Sequence, residues 1–121
     1  MDISSAGAAG PMVASSEAVV LFWQSVLSGK IISKKNVKLM HEELYPMFGG
    51  PTCYGLGMMV YRVPEPNGET TIWLGHSGGA NGVAAIFAYV PSQQAFVAVS
   101  LSGKGSAEAV VYAMLKAMKG Q

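Results

Sequence analysis

Within Gly75-His76-Ser77-Gly78-Gly79, an imidazole, a hydroxyl and three glycines fall in five consecutive residues, the only place in the chain where such groups coincide. Two kinds of chemistry suit them. The spacing Gly-x-Ser-x-Gly is that of a nucleophile elbow, a strained strand-to-helix turn that presents a serine hydroxyl to a substrate carbonyl. That arrangement needs an acid and then a histidine after the serine. Here the other histidine, His41, precedes Ser77, the sole acid after it is Glu108, and the residues beyond Gly79 read as strand. An α/β-hydrolase-type esterase with Ser77 as nucleophile is therefore the weaker reading. In the second, His76-Ser77-Gly78 ends a strand at the lip of a cleft. An imidazole there changes charge near neutral pH, a hydroxyl both donates and accepts, and glycine lets a ligand's backbone approach with no Cβ in the way. Without its neighbours the segment also reads as a plain polar strand end, with Gly78, Gly79 and Gly82 making a wide turn.

The neighbours favour the strand-end reading. Met12 and Val13 precede a Ser15-Ser16-Glu17 helix start, and Tyr54-Gly55-Leu56-Gly57, the His76 segment and Tyr89-Val90-Pro91 follow in order. Over roughly residues 6 to 118 the chain resembles the C-terminal portion of the serine β-lactamase and penicillin-binding-protein-like family, on its class C β-lactamase-related, D-alanyl-D-alanine carboxypeptidase and esterase side. His76-Ser77-Gly78 matches that family's third active-site motif, Lys/His-Thr/Ser-Gly. The resemblance implies that the His76 strand walls the active-site cleft. It implies that His76 and Ser77 serve a substrate carboxylate or the proton relay, that Gly78 admits substrate backbone, and that the Gly79 N–H donates to a developing oxyanion. The implied substrates are β-lactams, D-alanyl peptides or simple esters, with no cofactor.

Two parts of that family's machinery do not occur in this sequence. No Ser-x-x-Lys is present: Ser15, Ser16, Ser25 and Ser33 are followed three residues later by Ala18, Val19, Ser28 and Asn36. No Tyr-x-Asn or Ser-x-Asn is present either; Tyr45, Tyr54 and Tyr61 are followed two residues later by Met47, Leu56 and Val63. The expectation is a truncated hydrolase segment, inactive alone because it encodes no nucleophile with a neighbouring base. The alternative is a non-catalytic oligomeric binding or assembly module.

The elements that must position these residues follow from periodicity and punctuation. After a Gly-, Ala- and Ser-rich extended lead-in over residues 1 to 14, Val19, Phe22, Trp23, Val26 and Leu27 recur at helical spacing, with Ser15 or Ser16 as cap and Gly29 as stop. Ser33 caps a second helix, with Val37, Met40 and Leu44 on one face, ending before Pro46. Four strands are expected: Tyr54 to Val63, Thr70 to about Ser77, Val83 to Val90 and Ala95 to Leu101. The Asn67-Gly68 and Pro91-Ser92-Gln93-Gln94 reversals make neighbours antiparallel. A last helix carries Ala107, Val110, Val111, Met114 and Met118 on one stripe, with Lys116 and Lys119 complementing its dipole. The fold class is α+β in a single domain, residues 1 to 121: two helices, an antiparallel sheet of about four strands, and a helix packed on one sheet face.

Composition bounds the partners. Apolar residues make up 50% of the chain and charged ones only 12%, which suits a packed core but leaves little polar material for the surface of so small a unit. A homo-oligomer or a complementing chain is expected to cover the remainder. A net charge of +1, with basic residues scattered, argues against nucleic acid. One cysteine and two histidines exclude an internal disulfide and argue against a zinc centre; Cys53 reads as a buried hydrophobe. The apolar run Ala18 to Trp23 is too short to span a bilayer. Met1-Asp2-Ile3 lacks the positive start of a signal peptide, so the chain as written reads as cytoplasmic, although relatives of the resembled family are often periplasmic. His41 beside Glu42 and Glu43 reads as a solvated side chain, Tyr54 and Trp73 as packing, and the methionines as core filler.

Overall fold

The computed structural model describes residues 7–10 and 12–120. The lead-in at 1–6 and residue 11 lie outside the described residues, and 7–9 form a short 3-10 turn. Helix α1 runs Ser16–Leu27, with the Ser15 hydroxyl accepting from the Ala18 N–H at 3.1 Å and Glu17 in the positive first turn. Gly29, at φ +85°, turns the chain away from its end. α2, Lys34–Met40, is capped in the same way by Ser33. It stops at Met40, so Leu44 lies beyond the helix rather than on its face. The Met40 carbonyl, free of helix partners, accepts instead from the Leu56 N–H at 2.9 Å.

The sheet has six antiparallel strands in sequence order: β1 Tyr45–Pro46, β2 Thr52–Tyr54, β3 Met59–Pro64, β4 Thr70–Ala80, β5 Val83–Val90 and β6 Ala95–Ser102. The single strand expected over 54–63 is broken in two. Gly57 adopts φ +68°, the Gly55 N–H donates to the Met58 carbonyl at 2.8 Å, and the resulting reversal folds β2 back on β3. Gly55 is obligatory there, because a Cβ would collide with the Met40 carbonyl oxygen. β4 continues three residues past the expected Ser77, to Ala80, because Asn81-Gly82 closes it onto β5 as a two-residue hairpin with Ala80 opposite Val83.

Side-chain alternation sorts the sheet into two faces. Trp73, Ile86, Ala88, Val90, Val97 and Val99 meet Ala107, Val111 and Leu115 of α3, which spans Ala107–Lys119. On the other face Leu74, Phe87, Tyr89 and Phe96 pack against Trp23, Val26, Val37 and Met58. The sheet is thus covered on both sides, by α3 on one and by α1 and α2 on the other. The α3 stripe differs from the expected one: Val110, Met114 and Met118 are exposed, and the residue that closes the core is Leu115. The buried set 107, 111, 115 follows the i, i+4 row, which leaves the i+3 positions at the rim. Likewise Phe22 of α1 faces outward, while Trp23 and Val26 carry the burial. Of the methionines, Met58 is fully buried, whereas Met114 and Met118 are not core filler. Cys53 is buried and free, as its apolar strand position requires.

Candidate active-site wall

The His76 segment lies on β4 where that strand outruns its neighbour. β3 pairs with β4 only as far as Met59 opposite Gly75, so His76 to Ala80 are held by β5 alone and their other edge has no strand partner among the described residues. Two contacts fix β4 just before this point. The Trp23 indole N–H donates to the Leu74 carbonyl at 2.9 Å, tying α1 to the strand. Gly75 is buried so close to β5 that a Cβ would strike the Phe87 carbonyl oxygen and the Ala88 Cα. The first glycine of the motif therefore serves strand-to-strand approach.

His76 and Ser77 are consecutive on a strand and so face opposite sides of the sheet. The imidazole lies on the α1 side. Its Nδ1 is 2.7 Å from the Ser77 carbonyl oxygen and its Nε2 is 3.0 Å from the Tyr54 hydroxyl, whose ring meets it edge-on at 5.5 Å. A carbonyl only accepts, so in the neutral ring Nδ1 carries the proton and Nε2 accepts from the phenol. The Ser77 hydroxyl points to the α3 side and donates to Met59 Sδ at 3.7 Å; the Tyr61 hydroxyl donates to the same sulfur at 3.1 Å. Burial pushes the Tyr61 phenol up to about 12, with a hydrogen bond involving Ser77 opposing and the Glu108 charge adding.

Gly78 returns to the α1 face. A Cβ there would meet nothing, so the strand is open at that position, whereas one on Gly79 would crowd the Val83 carbonyl at 2.9 Å. With Ala80 and Val83 as the closing pair of the hairpin, hydrogen-bonding direction alternates back along β4, which turns the backbone groups of Ser77 and Gly79 toward the unpaired edge. A cavity of about 240 Å³ lies beside these residues, lined by Ser16, Val19, His76, Gly78, Ala85 and Ser100 among others, and His76 is the only ionisable group in its lining among the described residues. The structure thus brings His76, Gly78 and the Ser77 and Gly79 backbone to one end of one strand, and keeps the Ser77 hydroxyl on the far face.

Tyr54 is the site residue that sequence reasoning passes over as packing. Its phenol reaches His76 because the Gly55-Leu56-Gly57 reversal pairs Tyr54 with Met59, the first residue of β3, so that Tyr54 stands at the end of β3 beyond which β4 is uncovered. The glycine-flanked reversal is the available signal. Trp73 is buried, as expected, and His41 is half-buried at the C-cap of α2, away from the cavity. No group of three or more metal-ligating side chains occurs among the described residues.

No protein-family model and no curated protein matches the sequence. Among solved structures, the chain is similar to D-amino acid amidase from Ochrobactrum anthropi SV3, solved in complex with L-phenylalanine amide. The identity is 26%, the TM-score 0.71, and the match covers 89% of this chain and 36% of that one. The chain therefore spans little more than a third of that enzyme's length. With three α-helices among the described residues and an antiparallel sheet whose strands follow one another in order, it resembles part of the penicillin-binding-protein/β-lactamase fold of serine hydrolases.

Proposed function

We propose that this chain is the third-motif wall of a penicillin-binding-protein/β-lactamase-type serine hydrolase, acting on an acyl substrate such as an amide, a simple ester, a β-lactam or a D-alanyl peptide. The observation that carries the reading is the similarity to D-amino acid amidase together with His76-Ser77-Gly78-Gly79 at the open-edged end of β4. In this reading an extended acyl substrate lies along that edge. Gly78 leaves room for its backbone, the Gly79 N–H donates to the carbonyl oxygen as it becomes an oxyanion, and His76 borders the acyl group. The Ser77 hydroxyl, on the other face, is not the nucleophile in this reading, and the Ser77 backbone carbonyl serves the wall by accepting from His76 Nδ1. The class C and carboxypeptidase affinities belong to this proposal.

No Ser-x-x-Lys or Tyr-x-Asn occurs within these residues, so the 121-residue chain alone is expected to turn over neither a chromogenic β-lactam, nor a p-nitrophenyl ester, nor a D-amino acid amide. Turnover by the purified chain that disappears in Ser77→Ala would overturn this and restore Ser77 as a nucleophile.

A second reading, the assembly module, is favoured by Leu21, Phe22, Leu39 and Leu56, which are between 44% and 66% exposed on α1, on α2 and at the β2–β3 reversal. Burying such side chains against another chain stabilises association by roughly 25 cal/mol per Å² before the cost of ordering. Sedimentation at micromolar concentration is expected to show an oligomer. A strictly monomeric profile, with no binding of an apolar-surface dye, rules this reading out.

A further inference from the structure

We propose that Tyr54 is a positioning residue for His76, holding the imidazole in one rotation and one protonation pattern through a Tyr54 hydroxyl–Nε2 and Nδ1–Ser77 carbonyl chain. The bearing of this on a substrate rests on the hydrolase-wall reading above, but the chain of bonds does not.

The argument begins at the open edge. Past Gly75, β4 has no strand partner on the β3 side among the described residues, and the Ser77 carbonyl there binds something other than a ladder N–H. The His76 ring supplies the donor at 2.7 Å. This contact alone selects the Nδ1–H form, because a lone pair on Nδ1 would face a lone pair on oxygen. It leaves Nε2 as a bare acceptor, and Tyr54 fills it at 3.0 Å. The phenol reaches that point from β2, two strands away in the ladder, because β3 begins only at Met59. Edge-on ring contact at 5.5 Å and an interplanar angle of 86° give the pair a second restraint. Both ring nitrogens are thereby engaged, and His76 offers a nitrogen to a ligand only by exchanging one of these two bonds. Tyr54 thus holds the acceptor nitrogen, Nε2, until its hydroxyl is displaced.

The test uses the whole chain, with Tyr54→Phe as the variant that keeps the ring contact and removes only the hydroxyl. In the unaltered protein, labelled with ¹⁵N-histidine and held at a pH high enough to keep the imidazole uncharged, His76 is expected to show a protonated Nδ1 and a hydrogen-bonded, unprotonated Nε2. A slowly exchanging Tyr54 hydroxyl proton should lie close to it. In Tyr54→Phe the Nε2 resonance is expected to move to the position of a free acceptor. Diethyl pyrocarbonate should then acylate His76 several-fold faster, measured site by site against His41 in the same molecule. A protonated Nε2 in the unaltered protein overturns the proposal, and so does a Tyr54→Phe variant with unchanged resonances and an unchanged His76-to-His41 reactivity ratio. The first outcome needs no variant, so a misfolded Tyr54→Phe leaves the proposal open to refutation. Neither readout depends on turnover, so failure of the hydrolase-wall reading, which is decided by acyl-substrate chemistry, is distinguishable from failure here.

Discussion

At the scale of single residues, β4 divides its labour by parity. His76 and Gly78 face the α1-side cavity, whereas Ser77 turns its hydroxyl into a sulfur- and phenol-lined niche with Met59 and Tyr61. Tyr61 makes that niche measurable. Its phenol has an unfolded value near 10 and is pushed up to about 12 in the folded chain, chiefly by burial. The folded state thus holds the proton more tightly than the unfolded state. The resulting contribution to stability is complete below pH 10, declines as pH rises from 10 to 12, and is gone above the folded value. Thermal unfolding followed across that window should show a falling midpoint whose slope is reduced in Tyr61→Phe; identical slopes would mean the phenol ionises equally in both states. Glu65 works in the opposite direction. The Thr71 hydroxyl, 2.7 Å away, holds its carboxyl below the usual carboxylate range, aided by Lys119 at 3.6 Å and by Tyr112. Its contribution is present above the ordinary carboxylate range and is lost as pH falls through its lowered value. Glu65→Gln is expected to flatten the acid limb of the stability profile.

At the scale of elements, β4 is held in place by two dissimilar contacts just ahead of His76. Gly75 allows β5 to approach, and Trp23 clamps the strand from α1. Gly75→Ala forces the Cβ into the β5 backbone, and an overpacked core of this kind costs about 1–3 kcal/mol. Chemical denaturation should show that loss together with a disturbed His76 environment. Trp23→Ala removes the indole from the α1-side core, and such truncations cost about 3–5 kcal/mol. Trp23→Phe, which keeps most of the packing and deletes the 2.9 Å hydrogen bond, should cost less, on the order of 1 kcal/mol. If the Phe variant lost as much as the Ala variant, the hydrogen bond rather than the packing would dominate. The helix starts at Ser15 and Ser33 are legible in the order of residues alone, because a cap is a local event with a local donor. The break between β2 and β3 is not, because it depends on Gly55 meeting the Met40 carbonyl, a partner in another element. Asn81-Gly82 is different again. It is a hairpin signal present in the sequence, and reading the glycines around it as a wide turn hides it and shortens β4.

At the scale of the whole molecule, a sheet covered on both faces still leaves apolar side chains in water. Phe22 and Leu21 on α1 are each more than half exposed. If these residues drive self-association, replacing Phe22 with Lys should shift the sedimentation profile toward monomer without lowering the unfolding midpoint, since neither side chain belongs to the core. A lowered midpoint with unchanged sedimentation would assign Phe22 to the fold instead. Among the described residues no helix is long and apolar enough to cross a membrane, in keeping with the short apolar run in α1. The sequence by itself determined the α+β class, the helix caps, the antiparallel order of the later strands and the placing of His76-Ser77-Gly78 on a strand. These follow from 3.6- and 2-residue periodicities and from capping or turn residues that act within a few positions. Only the tertiary structure decided that β3 stops short of His76, that Ser77 turns its hydroxyl away from the cavity, and that Tyr54 reaches the imidazole. Each depends on register between strands or on contacts across many residues of chain, and no local pattern of residue types encodes the distance between two side chains brought together by such pairing.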